Sequence, residues 1–268
     1  MKNVLIVGKG SYIGQAFAKY ADALLFNVTT VGAKNGEWRS VDFSKFDTVL
    51  HCAGIAHVAQ KKNMRELYYK VNCDIAVDVA KAAKEAGVGQ FVFLSSVAAM
   101  QPKAGDLYGG SKLKAEKILM GLGGMTLCII RPPMVYGYGC KGNFPRLVKL
   151  AKTLPVFPKV QNRRSMIHID NLCEFISQAI LQNKSGVHLP QNAEYVNTTE
   201  LVLLIAKISG RKMRTTRLFN PLIWLFKRWV KPLDKLFGNL VFELNGNEKK
   251  YNVVKFENSV ESSITTKL

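Results

Sequence analysis

Tyr108 and Lys112 stand four residues apart, a spacing that puts both on one face of a helix. A phenol with its ordinary pKa of about 10 is a poor base at neutral pH. An ammonium beside it favours the phenolate, and a shift of about three units asks for roughly 4 kcal/mol of differential stabilisation. So tuned, Tyr108 is a general acid/base for a hydroxyl or a ketone, and Ser96 could hydrogen-bond the same oxygen and orient it. The spacing alone decides little, because chance supplies about one Tyr-x-x-x-Lys in a chain of this composition. Two occur. The second, Tyr251 with Lys255, lies in a polar tail and reads as coincidence, whereas Tyr108 follows the strand end at Ser95-Ser96 and adjoins a helical pattern.

The other chemical feature is a turn, Gly8-Lys9-Gly10-Ser11-Tyr12-Ile13-Gly14, placed directly after an apolar run and opening a helix. Glycine permits the tight turn and the close backbone approach that let amides at a helix N-terminus hold a pyrophosphate. The spacing is Gly-x-Gly-x-x-x-Gly, one residue longer than the usual dinucleotide fingerprint. An ordinary βα turn that happens to carry glycines is the alternative.

The elements around these residues alternate short β-rich runs with helical patterns, which argues for βαβ units and a parallel sheet. Residues 3–7, 48–52, 91–94 and 127–130 read as buried strands. Residues 13–23, 74–85 and 111–122 carry helix periodicity, as do 144–154, 171–182 and 199–209 later in the chain. At 268 residues, with apolar residues at 48%, the chain can bury a core as one large domain or two small ones, and disorder is excluded. No apolar stretch approaches the roughly 18 residues of a membrane span, and the opening run stops too soon for a signal peptide. Five cysteines without a Cys-x-x-Cys pair predict a reduced, cytoplasmic protein without disulfides or structural zinc. Four scattered histidines predict no metal site. The expected architecture is α/β, a Rossmann-like doubly wound parallel sheet with a smaller C-terminal substrate-binding cap. Its dinucleotide-binding domain would take residues 1–137, with 160–190 returning to it, and the cap would take 138–268.

Taken in order, these residues resemble the extended short-chain dehydrogenase/reductase family, in its NAD-dependent epimerase/dehydratase group, over almost the whole chain. The TGxxGxxG turn of that family corresponds to residues 7–14, with Gly8, Ser11 and Gly14 at its glycine positions. An adenine-contacting Asp-aliphatic pair resembles Asp42-Phe43, and the HxAA ending a fourth strand resembles His51-Cys52-Ala53-Gly54. Val71-Asn72 matches xVN, 91–96 matches FxxxSS, 108–116 matches YxxSKxxxE and 131–137 matches RPxxVYG. Residues 164–170 are similar to the RDxIHVxD segment. The resemblance implies Tyr108 as acid/base, Ser96 as its partner on a sugar hydroxyl, and Lys112 gripping the nicotinamide ribose, with an oxidised nicotinamide helping to favour the phenolate. NAD or NADP would be held by Gly8, Gly10, Ser11, Tyr12 and Ile13 at the diphosphate. Asp42, Phe43, Cys52, Ala53, Gly54, Asn72, Pro132 and Val135 would add further contacts to the cofactor. Arg164 would clamp the diphosphate of a nucleotide sugar through its bidentate fork. Asn143 matches a position near the sugar nucleotide, and it equally fits a helix N-cap.

Departures from the family pattern narrow the function. Ser11 replaces a glycine, which is tolerable if its side chain points outward. Val97-Ala98-Ala99 lacks the Asp-Glu pair of sugar 4,6-dehydratases, and Met134 stands where many relatives carry a substrate-contacting asparagine. No acidic residue follows the second strand around 29–36, the position that binds the ribose 2′-hydroxyl and selects NAD. Lys34 or Arg39 could accept a 2′-phosphate or could be solvated loop cations, so the choice of dinucleotide stays open. The leading expectation is a 4-epimerase of UDP-hexose or UDP-N-acetylhexosamine working through a 4-keto sugar in surface polysaccharide biosynthesis. The same residues would serve an NADPH-dependent reductase of a nucleotide-linked 4-keto-6-deoxy sugar. A non-catalytic dinucleotide-binding regulator is the reading of another class, and the Ser96, Tyr108 and Lys112 set argues against it.

The net charge of +19 favours an anionic partner. Twelve Lys and Arg against three Asp and Glu fall in residues 201–255, without any nucleic-acid recognition motif. Within them, 218–237 interleaves Trp224, Phe226 and Trp229 with Lys227, Arg228 and Lys231, a composition suited to the interface of an anionic membrane. The alternative is a cap helix packed on its own domain. The expected partners are thus a nucleotide sugar, the inner membrane face through peripheral contact, and a second copy in a homodimer.

Overall fold

The apolar runs form the middle of a parallel sheet, and the chemistry-bearing turns lie at the ends of its strands. The computed structural model describes residues 1–21, 26–56, 61–226, 236–244, 246 and 248–265. In chain order the elements are β1 (Lys2–Val7), α1 (Tyr12–Ala21), β2 (Phe26–Val31), β3 (Thr48–His51), α2 (Arg65–Tyr69), α3 (Ile75–Glu85), β4 (Gln90–Leu94), α4 (Leu107–Met120) and β5 (Thr126–Ile130). There follow β6 (Met134–Tyr136), α5 (Asn143–Thr153), β7 (Val156–Pro158), β8 (Met166–His168), α6 (Ile169–Leu181), β9 (Gly186–His188), α7 (Thr198–Ile208), β10 (Arg214–Thr216), α8 (Asn220–Phe226) and α9 (Phe256–Ile264). Residues 22–23 of the expected first helix, and Lys227, Arg228, Trp229 and Lys231 of the basic aromatic segment, lie outside the described residues.

Two compact units share the chain, one made of Met1–Pro133 with Leu172–Pro190 and the other of Met134–Asn171 with Gln191–Leu268. The first boundary precedes the expected one at 137 because β6 pairs with β8 rather than with the large sheet. In the first unit six parallel strands run in the order β2-β1-β3-β4-β5-β9. The order reverses between β1 and β3, the switch point at which doubly wound sheets bind ligands beyond their strand ends. Alternate residues of β1 serve the two faces. Leu5 and Val7 join Val49, Phe91, Phe93 and Ile129 against Val79, Ala80 and Ala83 of α3 and Ala115 and Leu119 of α4. On the other face Ile6 meets the Gly14 turn of α1, and Gln90 donates to the carbonyls of Ala179 and Lys184 at 3.0 and 3.1 Å, fixing the end of α6.

Three details depart from expectation. The His51 segment closes the third strand, not a fourth, because Lys34–Ser40 forms 3-10 turns broken by left-handed Asn35 and Gly36 (φ 59° and 73°). Helix α4 begins at Leu107 rather than Ser111, since the Asp106 carboxylate caps it by accepting from Gly109 N–H at 3.1 Å. Tyr108 is thereby in the first helical turn. Tyr251 is not in a solvated tail: it is buried in the second unit and its hydroxyl accepts from Gln191 N–H at 3.3 Å. Lys255 only flanks α9, so the second Tyr-x-x-x-Lys has no shared helix face.

The second unit is held by polar pairing as well as apolar packing. The Tyr136 hydroxyl bonds Ser259 Oγ at 2.6 Å and accepts from Asn192 Nδ2 at 2.9 Å. Asn171 Nδ2 donates to Asn192 and Asn252 at 3.0 and 3.1 Å. Such satisfied buried networks specify one packing, since an unpaired buried polar group costs about 1–3 kcal/mol.

Candidate active site

The turn after β1 is built by close backbone contact. Gly8 and Lys9 both donate to Val31 O of β2, at 2.9 and 3.0 Å, while Cys52 and Ala53 donate to Val7 O at 2.9 and 3.0 Å. A Cβ at Gly8 would lie 2.7 Å from Ala53 N, and its φ of +130° suits glycine alone. A Cβ at Gly14 would press on Gly8 O and Ile6 at 3.2 Å, so α1 is drawn against the strand, whereas Gly10 faces open space. Ser11 does not point away: its Oγ accepts from Gly14 N–H at 3.2 Å and caps the ten-residue α1. At the start of this helix the Ile13 amide has no intrahelical acceptor. A crowded glycine cradle opening onto a capped helix N-terminus is the donor set that a dinucleotide diphosphate needs, and the residues present fit that group.

Ser96, Tyr108 and Lys112 gather at the far end of β4. Ser96 caps the short turn Val97–Ala99, its Oγ accepting from Ala98 N–H at 3.2 Å, and its side chain is hydrogen-bonded to the Tyr108 hydroxyl. Burial pushes the Tyr108 pKa up, the Ser96 bond opposes it, and Asp106 and Tyr68 add to the rise. Lys112 is buried and its ammonium donates to Leu94 O at 2.8 Å, lying 4.6 Å over the Phe93 ring. Burial lowers its pKa to about 8, against the pull of Cys52 and Glu116. Asn72, in the π-helical turn Lys70–Asp74, accepts from Ile55 N–H at 2.8 Å and donates to Ser111 Oγ at 3.0 Å. Ser111 in turn donates to Tyr108 O at 2.9 Å, so Asn72 couples the Gly54-Ile55 segment to the first turn of α4.

Residues 4–193 match the NAD-dependent epimerase/dehydratase family. The chain belongs to that family. It is an NAD(P)-dependent enzyme of the extended short-chain dehydrogenase/reductase type. It is 34% identical to a UDP-glucose 4-epimerase of Vibrio cholerae, an alignment covering 89% of this chain and 79% of that protein. It is 25% identical to an N-acetyl-α-D-glucosaminyl-diphospho-ditrans,octacis-undecaprenol 4-epimerase of Escherichia coli O157:H7, over 88% and 81% of the two chains. The structure of a UDP-glucuronic acid 4-epimerase from Bacillus cereus in complex with NAD shares the fold, with a TM-score of 0.70 at 18% identity over 97% of this chain and 94% of that one.

Other epimerase/dehydratase positions are distributed over both units. In the first, Cys52 is buried and its thiol is pushed up to about 12 by burial, so it is inert. The Asp42 carboxylate caps a 3-10 turn, accepting from Ser44 N–H and Oγ at 3.1 and 2.6 Å, and Phe43 packs edge-on to Trp38 in the core. Tyr12 is half-buried. Pro132 is buried, and its carbonyl accepts from Val97 N–H at 3.2 Å, beside Ser96. The second unit carries Val135 opposite Ile167 in the β6–β8 pair, and Asn143 as the first residue of α5. Gly142, not Asn143, is the N-cap. Arg164 is buried and donates to Gly238 O at 2.6 Å, while Arg163 stacks 4.4 Å over Tyr195. Just past β2 the Glu37 carboxylate accepts from Gly32 N–H at 3.3 Å, brought back by the turn at Asn35-Gly36.

Proposed function

We propose that this chain is a nucleotide-sugar 4-epimerase acting on UDP-hexose or UDP-N-acetylhexosamine through a 4-keto sugar, in surface polysaccharide biosynthesis. The observation that carries the reading is the hydrogen-bonded Ser96–Tyr108 hydroxyl pair at the end of β4, with the buried Lys112 ammonium one helical turn on. A bound nicotinamide would supply reversible two-electron redox chemistry at the sugar C4. The chain's own residues handle everything else. Ser96 Oγ orients the 4-hydroxyl, Tyr108 Oη takes its proton as the ketone forms, and Tyr108 Oη returns a proton to O4 when the ring is reduced on its other face. Lys112 and Asn72 hold the cofactor's ribose side of the site, and the Gly8–Gly14 turn holds its diphosphate. Gly10 and Ile13 act there through the backbone, as does Tyr12. Arg164 and Asn143 serve the sugar nucleotide.

The test starts by denaturing purified protein and identifying any released dinucleotide, followed by assays of UDP-hexose and UDP-N-acetylhexosamine interconversion. Epimerisation without net consumption of added dinucleotide is expected. Tyr108→Phe should retain dinucleotide binding and lose at least about 99% of turnover, the lower end of the roughly 10²–10⁴-fold typical of one acid/base group. Stoichiometric oxidation of NADPH by a nucleotide-linked 4-keto-6-deoxy sugar would replace the epimerase with a reductase. Binding without turnover of either kind would leave a regulator.

We infer as well that the second unit meets an anionic membrane surface through residues 218–225. Leu218, Phe219, Trp224 and Leu225 are exposed there (77%, 44%, 68% and 55%) within the most basic part of the chain. The similarity to an epimerase named for an undecaprenol-linked sugar supports this location.

A further inference from the structure

We propose that Gly109 and Ser95 are positioning residues that set the contact between the Ser96 and Tyr108 hydroxyls, an inference that rests on the epimerase reading above. The strand end after β4 and helix α4 meet residue by residue. Leu94 O receives the Lys112 ammonium at 2.8 Å, Ser95 Oγ is hydrogen-bonded to Glu116, and the Ser96 side chain is bonded to the Tyr108 hydroxyl. Ala98 O then lies directly against Gly109. The strand end is held from its other side as well. Ser95 N–H donates to Ile130 O at 2.7 Å and Val97 N–H to Pro132 O at 3.2 Å.

Position 109 is helical and its φ is not in the left-handed region, so backbone freedom does not call for glycine. Glycine there weakens the helix. Space calls for it. A Cβ at 109 would stand well inside 3.0 Å of the Ala98 carbonyl oxygen and 3.1 Å from its carbon, both backbone atoms of the turn that follows Ser96. That turn, Val97–Ala99, has little slack, since Ala99 is fully buried and Ala98 N–H donates to Ser96 Oγ at 3.2 Å. A side chain at 109 would push the first turn of α4 off the carbonyl by a distance on the order of 1 Å, and a misplacement of that size costs about 10²-fold in rate. Gly110 is unlike it: a Cβ there would meet Tyr69 Oη at 3.1 Å, the far end of a flexible side chain. Ser95 provides the second hold. Its hydroxyl and the Arg131 guanidinium share the buried Glu116 carboxylate, two helical turns beyond Tyr108, with Arg131 Nε donating at 3.0 Å.

The experiment measures kcat and KM of the purified full chain with UDP-glucose and with UDP-N-acetylglucosamine, and NADH affinity by nicotinamide fluorescence. Gly109→Ala should lose about 10²-fold in kcat while KM and NADH affinity stay within about twofold of wild type. Gly110→Ala, one residue on, should keep kcat within about twofold. Ser95→Ala should lower kcat in the same pattern but by less, since Glu116 keeps its pair with Arg131. In a Ser96→Ala background, Gly109→Ala should cost no more than about twofold, because the contact it disturbs is already gone. A wild-type kcat in Gly109→Ala overturns the proposal, as does a loss that is equally large in the Ser96→Ala background or that Gly110→Ala shares. A Gly109→Ala chain that does not fold overturns it too, by making the glycine a requirement of the fold rather than of the contact. A wild type that epimerises neither sugar, or a Tyr108→Phe variant at full rate, removes the epimerase reading and this proposal with it. Failure at Gly109 alone leaves that reading standing.

Discussion

Lys112 reaches past the phenol that precedes it by one turn: its ammonium ends on Leu94 O and over Phe93, where burial draws its pKa down to about 8. The groups of this chain around Tyr108 favour the neutral phenol, with Ser96 opposing, so the residue rests as an acid. The same buried charge bears on His51. That ring is fully buried between Phe91 and Phe93, with centroids 6.1 and 6.0 Å away, and neither nitrogen has a hydrogen-bond partner among the described residues. Burial first, and then the Lys112 charge, lower its pKa from 6.5 to about 3. Between those values the unfolded chain takes up a proton that the fold refuses. The stability is therefore complete above about pH 6.5 and falls as the pH is lowered, by about 1.4 kcal/mol per unit. His51→Leu should flatten the dependence of the urea midpoint between pH 6 and 4 relative to wild type. Parallel slopes in the two proteins would show that His51 is protonated within the fold.

Helix α4 presents Tyr108 and Lys112 from a fixed position because its middle is tied to two strand ends. Glu116, fully buried, is hydrogen-bonded to Ser95 and paired with Arg131, whose Nε donates to it at 3.0 Å. Removing one partner of a buried pair strands the other charge, so Arg131→Met should cost about 3–5 kcal/mol in urea unfolding. The double variant Arg131→Met with Glu116→Gln should recover most of the loss. A single-variant cost below about 1 kcal/mol would mean that water reaches the pair. How far the elements were legible in sequence depended on which forces set them. Helices α3, α5 and α7 followed from apolar periodicity, and β1, β3, β4 and β5 from unbroken apolar runs. The start of α4 did not, because Gly109-Gly110 carries little helix propensity and the Asp106 cap holds the turn. Strand β2 was not legible as an apolar run, since it is an edge strand with polar Asn27, Thr29 and Thr30. The residues of the turn and of the Ser, Tyr and Lys set were legible as types at a spacing. The direction in which Lys112 points, and the return of Glu37 to Gly32, are tertiary outcomes that no spacing encodes.

At the scale of the whole molecule the excess of positive charge needs a counterpart. No helix among the described residues is long and apolar enough to cross a membrane, so contact with lipid would be peripheral. The exposed side chains Leu218, Phe219, Trp224 and Leu225 precede Lys227, Arg228 and Lys231 in sequence, and the segment is anchored at its far end, where Phe237 packs 5.9 Å from Phe157. An apolar cluster of this kind gains about 1.5–3 kcal/mol per large side chain that leaves water, and each nearby cation adds about 1 kcal/mol at an anionic surface. Both contributions are needed, because apolar insertion without charge would not distinguish lipid composition and charge without insertion would be lost at moderate salt. The protein should therefore sediment with phosphatidylglycerol vesicles at low ionic strength, and far less with phosphatidylcholine vesicles. Trp224→Ser with Leu225→Ser should reduce partitioning about tenfold or more while leaving epimerisation of a water-soluble UDP-sugar unchanged. Raising the salt should weaken wild-type binding without abolishing it, since the apolar part is not screened. A wild-type protein that ignores anionic vesicles at low salt removes the membrane from the account and leaves the exposed face to another copy of the chain.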